Sequence, residues 1–155
     1  MRLIGTGFHW NELNSGDRFK TYGRTITETD IVNFVSCVGM LESLFVDAEY
    51  RKAHSAMSGH AAPAMLVLSL ADGLVLNATG QGTGLAFLNM TMSVRNPVFV
   101  GDTIHVEIEV EEARKTSKSS RGLVRTRNSI INQRGELVIE YEPQRLMAAS
   151  EGSSD

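Results

Sequence analysis

One cysteine, Cys37, is all the chain contains. That excludes an intrachain disulfide framework and any four-cysteine zinc site. Cys37 falls within an apolar helical pattern, so a small buried residue is expected there rather than a nucleophile. The four histidines, His9, His54, His60 and His105, have no His-x-x-x-His spacing, and no metal centre is expected. Basic residues are not in excess: 15 Lys and Arg stand against 18 Asp and Glu, a net charge of −3. A general nucleic-acid binder would carry a basic surface, so none is expected as a partner. No uninterrupted apolar run approaches the about 20 residues that cross a membrane. Met1 to Trp10 carries one arginine and no long apolar segment, unlike a signal peptide. Together with the reduced cysteine, this makes the cytoplasm the expected compartment.

What the sequence does have is a core. Hydrophobic residues make up 42% of 155 positions and charged residues 21%, which suits one globular domain over residues 1–147. Residues 148–155 read as a disordered tail. The chain is organised around Gly59 to Leu76. A small-residue turn leads through Pro63 into a run broken only by Ser69, Asp72 and Gly73. Proline suits a first helical turn, where its missing N–H has no intrahelical acceptor. A helix apolar nearly all round must be buried on most sides.

Before it, Arg18 to Ile26 alternates as a strand. Thr27 and Asp30 form a capping box opening a helix to about Cys37, stopped at Gly39. A short surface helix is expected from near Asp47. After it, Gly80, Gly82 and Gly84 mark a flexible connection and the period changes to two. Leu88, Met90, Met92 and Val94 share one face. Ile104, Val106, Ile108 and Val110 face opposite His105, Glu107, Glu109 and Glu111, the alternation of a sheet with one wet side. Two more strands follow at hairpin spacing, and the pattern is lost after Pro143. The fold class is α+β, an antiparallel sheet wrapped around a long central apolar helix.

Three passages resemble the MaoC-like dehydratases, relatives of the (R)-specific enoyl-CoA hydratases. They are Gly16 to Phe19 with Arg24 to Phe34, Gly59 to Leu76, and Arg95-Asn96-Pro97-Val98-Phe99-Val100-Gly101-Asp102-Thr103-Ile104. The resemblance implies a hotdog fold, no resident cofactor, and acyl-CoA or acyl carrier protein thioesters as substrates or ligands. It also implies a homodimer or higher oligomer. The family's Gly-Asp-x-Asn-Pro-x-His motif reads Gly39-Met40-Leu41-Glu42-Ser43-Leu44-Phe45 here. Met40 stands for the catalytic aspartate and Phe45 for the catalytic histidine, and neither exchanges protons.

What remains of the site follows from that comparison. Ala64 stands where the family has glycine and keeps the backbone N–H that would hold a thioester oxygen. Glu42 and His60 are the expected catalytic groups. Met40, Phe45 and Met65 are expected to line an acyl pocket, within a larger set that includes Met57, Met90 and Met92. Arg114, Lys115, Lys118, Arg121, Arg125 and Arg127 cluster on one hairpin, and Arg125 and Arg127 are the expected contacts to coenzyme A phosphates. Three functions stay open: a hydratase or dehydratase, a thioesterase using Glu42, or a non-catalytic acyl-CoA binder that partners an active paralogue.

Overall fold

The computed structural model describes residues 1, 3–117 and 120–150. Its strands are β1 (Arg18–Lys20), β2 (Arg24–Thr25), β3 (Gly84–Val94), β4 (Thr103–Lys115), β5 (Arg121–Asn132) and β6 (Leu137–Ala148). Its helices are α1 (Glu28–Val38), α2 (Ser43–Val46), α3 (Ala48–His54) and α4 (Ala64–Val75). All strands join one antiparallel sheet in the order β1-β4-β5-β6-β3, with β2 also on β4. The β4-β5-β6 meander follows from hairpin spacing. β3 instead pairs with β6, so the segment after Val94 must cross from one edge of the sheet to the other.

The alternation along β4 appears as read. Ile104, Val106, Ile108 and Val110 are buried, and the residues between them are half-buried on the outer face. Against that inner face α4 lays Val67, Leu68, Ala71 and Val75. Burying each such aliphatic side chain contributes about 1.5–3 kcal/mol before ordering costs. At the start of α1, Thr27 Oγ1 accepts from the Asp30 N–H and Asp30 accepts from the Thr27 N–H. Asp47 caps α3 through Glu49 and Tyr50.

Six expectations change. The single strand over Arg18–Ile26 is two short ones, because Thr21 turns inward and its hydroxyl accepts the Val106 N–H at 3.0 Å. Cys37 is exposed, as is Val38. α1 buries only Ile31 and Val35, a stripe too narrow to include them. α4 is not enclosed all round: Met65 and Ser69 lie exposed on one side, and Leu76 just after it is exposed too. The Gly80–Gly84 connection begins as a wide helical turn over Leu76–Gly80 rather than a loose link. Finally, β6 runs through Pro143 to Ala148. Proline donates no ladder hydrogen bond, and the β5–β6 register lapses between Tyr141 and Gln144, where that donor is missing. Beyond the strand, the Ala149 N–H donates to Ser120 and the Ser150 N–H to Asn11. The expected tail is therefore ordered through Ser150, and 151–155 lie outside the described residues.

Candidate functional site at the start of the central helix

The crossover from β3 to β4 passes over the N-terminus of α4 and clamps it. The Ala62 N–H donates to the Val98 carbonyl at 2.8 Å, the Val100 N–H donates to the His60 carbonyl at 3.2 Å, and Ala61 bridges Phe99. Pro63 is extended at φ −53° and ψ 134° and precedes the first helical residue. The helical hydrogen bonds begin with Leu66 and Val67, both donating to the Pro63 carbonyl. Ala64 and Met65 therefore have no intrahelical acceptor for their N–H groups, as the first turn of any helix dictates.

Ala64 borders a hollow of about 360 Å³. Its walls include Phe45, Met57, Pro63, Ala64, Val94 and Asn96. Arg95 is the charged member of the described lining, and no carboxylate or imidazole belongs to it. The positive end of a helix facing apolar walls suits a polarised oxygen attached to an aliphatic group.

The expected site residues divide. Ala64 and Phe45 line the hollow. Met40 packs nearby in the cluster of Ile31, Val35 and Leu66, which Phe45 also joins. Met65 faces out and does not line it, because α4 turns that side away from the sheet. Glu42 precedes α2, is exposed, and caps nothing through its side chain.

His60 lies just before the hollow. Its Nδ1 is 2.8 Å from Glu28 Oε2, and its Nε2 is buried without a hydrogen-bond partner. Glu28, at the first position of α1, carries no sequence signal for this role, since the two residues meet only through the tertiary fold. Val94 and Asn96 were likewise legible as strand and turn, not as walls of a site.

Arg125 and Arg127 stand apart, on the outer face of the sheet. Arg125 Nη1 is 3.1 Å from Glu111, and Arg127 pairs with Glu111 and, at 3.5 Å, with Glu142. The negative charge of Glu111, then the hydrogen bond to Glu142, raise the Arg127 pKa above its usual value. These arginines answer the acidic face of β4, with the sheet between them and the hollow. Lys118 of the same hairpin lies outside the described residues.

Among the described residues, no three His, Cys, Asp or Glu side chains are grouped so that they could hold a metal ion. Among them, too, no helix is long and apolar enough to cross a membrane.

The family model for the MaoC-like domain matches residues 12–133. The chain belongs to the MaoC-like domain family. No curated protein sequence matches the chain significantly. Solved structures agree with the family assignment. A monoamine oxidase regulatory protein from Archaeoglobus fulgidus is 29% identical with a TM-score of 0.82, covering 94% of this chain and 97% of that one. The unliganded (R)-hydratase of Pseudomonas aeruginosa is 29% identical with a TM-score of 0.73, covering 94% and 88%. A Mycobacterium tuberculosis protein described as a double hotdog fold superposes at a TM-score of 0.84 with 24% identity. The match takes in 99% of this chain but 48% of that one. The MaoC-like chain is thus one hotdog unit, and its α4 is the helix the sheet wraps.

Proposed function

We propose that this MaoC-like protein binds acyl thioesters, of coenzyme A or of an acyl carrier protein, at the N-terminus of α4. The thioester carbonyl accepts the Ala64 N–H, and the acyl group lies against Phe45, Met57 and Val94. One observation carries this reading: the N–H group left without an intrahelical acceptor at Ala64 adjoins an apolar hollow of about 360 Å³. Such donors, backed by the helix dipole, hold an oxygen best when it gains negative charge, as in an enolate.

Family membership makes hydration of an enoyl thioester, or its reverse, the reaction to test. With Met40 and Phe45 at the expected dyad positions, the proton chemistry needs another group. Glu28 and His60 favour this second reading, because a carboxylate fixing Nδ1 leaves Nε2 as the reactive nitrogen. Water oxygen would add at Cβ, Nε2 would take the water proton, and that proton would return to Cα. Glu42 supports thioester hydrolysis less, being exposed and outside the hollow.

A homodimer completes the reading. β3 is an edge strand of 11 residues with Leu85, Phe87, Leu88 and Val94 exposed. The open stripe of α4 and the turn after it contribute exposed Met65 and Leu76. An exposed apolar edge of this length is a template for pairing. A hetero-oligomer with an active paralogue would use the same edge.

The test runs three readouts on one preparation. An acyl-CoA series should raise the melting temperature. Loss of enoyl absorbance with a crotonyl-type CoA reports hydration, and free thiol reports hydrolysis. A melting temperature unmoved by every chain length would overturn the binding site. A thermal shift without turnover assigns binding alone.

A further inference from the structure

The two edges of the sheet differ in chemistry: β3 offers apolar side chains, and β1 offers charge. β1 ends the strand order and pairs with β4 on one side, Arg18 opposite Glu109, Phe19 opposite Ile108 and Lys20 opposite Glu107. The bonds that tie this segment to β4 come from alternate residues. The Val110 N–H donates to the Asp17 carbonyl at 2.9 Å, and the Thr21 N–H donates to the Val106 carbonyl at 2.9 Å. With that period of two, the N–H and C=O groups of Arg18 and Lys20 point away from β4. Such groups are a template for one more strand.

The outer face of the sheet shows what that strand must carry. Starting from β6, one row of neighbouring side chains runs Glu142, Arg127, Glu109 and Arg18, alternating in sign. The next row runs Glu140, Ser129, Glu107 and Lys20. Each row ends on a cation at β1. Arg18 and Lys20 are exposed, and neither forms an ion pair among the described residues. Both border an open hollow of about 320 Å³, together with Glu107, Glu109, Arg127 and Ser129. Phe19, between them, turns to the inner face and stacks on Phe8 with ring centroids 4.8 Å apart.

Distance decides which sign an incoming strand meets. A strand added at β1 lies about 4.8 Å away, so its side chains come directly beside Arg18 and Lys20. Glu107 and Glu109 are two strands off, about 10 Å away, a full screening length at physiological salt. The two cations therefore dominate. Opposite charges facing each other across a strand pair attract, and like charges repel. A second copy of β1, antiparallel about Phe19, would set Arg18 against Lys20 and repel itself.

We propose that β1 receives an extended acidic segment of another protein as an added strand. Its carboxylates alternate, one beside Arg18 and one beside Lys20, around an apolar residue that lies next to Phe19. The backbone groups of Arg18 and Lys20 supply the ladder hydrogen bonds, and the two charge pairs supply the selection. The site lies at the opposite edge of the sheet from β3. It does not rest on the thioester reading.

The test titrates an acetylated and amidated peptide, Thr-Thr-Glu-Val-Glu-Thr-Thr, into isotope-labelled full-length protein at neutral pH, following backbone amides by NMR. The Arg18, Phe19 and Lys20 amides should shift saturably, with hydrogen exchange slowed at Arg18 and Lys20. The affinity should fall as salt is added. The same peptide with Lys-Val-Lys at its centre should not bind. N-methylation of both glutamate amides keeps the charges, removes the ladder donors and should abolish binding. Arg18→Gln combined with Lys20→Gln puts no new charge beside Glu107 and Glu109, so the melting temperature should stay near that of the parent. It should weaken the acidic peptide about tenfold, the worth of two cross-strand charge pairs. The site is overturned by no saturable shift at millimolar peptide, by equal binding of the lysine or the N-methylated peptide, or by full affinity in the glutamine variant. Self-association of the parent that the glutamine variant loses would give the edge to a second copy, and would overturn it too.

Discussion

Glu28 Oε2 stands 2.8 Å from Nδ1 of His60, across 32 positions of sequence, while the Nε2 of the same ring is buried and unpaired. The carboxylate is well exposed, so the pair contributes little to stability, up to about 1 kcal/mol. Its weight falls on function if turnover exists. His60→Ala should then abolish enoyl-CoA hydration. Glu28→Gln should reduce it roughly a hundredfold, within the usual range for a positioned acid–base group, and alter the pH profile of kcat. Both variants should still show the acyl-CoA thermal shift. Rates unchanged in both would remove His60 from the reaction.

Ala64→Pro deletes one N–H and little else. Proline is favoured at the first helical position, and Pro63 at ψ 134° already has the conformation a residue before proline requires. The variant should fold with a melting temperature near that of the parent. Its acyl-CoA affinity should drop about tenfold, the cost of one strong hydrogen bond. Isothermal titration calorimetry measures this directly. Unchanged affinity would move the carbonyl away from the helix start.

Asp102 is a buried hub: it accepts from the Phe99 N–H at 2.9 Å, Gln133 Nε2 at 2.6 Å and Arg134 Nη1 at 3.0 Å. Burial alone would raise its pKa. The hydrogen bonds from Gln133, the Phe99 N–H and Arg134 outweigh that and hold the carboxyl below its ordinary value. A depressed folded-state pKa gives stability that is complete above the unfolded value near 3.9 and is lost as pH falls through the folded value. Asp102→Asn should cost about 1–3 kcal/mol at neutral pH. Urea unfolding from pH 7 downward should show a smaller acid loss in the variant than in the parent. Equal slopes would mean that other carboxylates carry the acid sensitivity.

Leu88 tests the edge. It is exposed on β3, at an irregularity where the register with β6 shifts between Phe87 and Asn89. The parent should have a dimer mass by light scattering. Leu88→Glu should move it toward the monomer, since an unpaired charge on an apolar edge opposes strand pairing. A monomeric parent would refute the edge assignment.

Much of the architecture was legible because two periodicities settle it. The alternation in β4 could bury Ile104, Val106, Ile108 and Val110 only by facing a helix, and the apolar run after Pro63 supplied one. Capping at Thr27 and Asp47 is local chemistry, and local chemistry can be read in order. The misreadings have a common cause. Cys37, Met65 and Pro143 were judged from their neighbours in sequence, whereas exposure depends on which side the sheet covers. Pro143 shows it best: a proline usually ends a pattern, but here the β5–β6 ladder lapses at that point and the strand continues.

By itself the sequence determined a cysteine-poor α+β chain and a proline-led central helix. It also set the donors at Ala64, because every helix start leaves its first N–H groups unpaired. Only the tertiary structure decided which side chains surround those donors. It brought Phe45, Met57 and Val94 to the hollow, left Glu42 in solvent, and put Arg125 and Arg127 on the far face with Glu111. It also joined Glu28 to His60. Pairings over such distances depend on strand register and crossover, which no short stretch of sequence encodes.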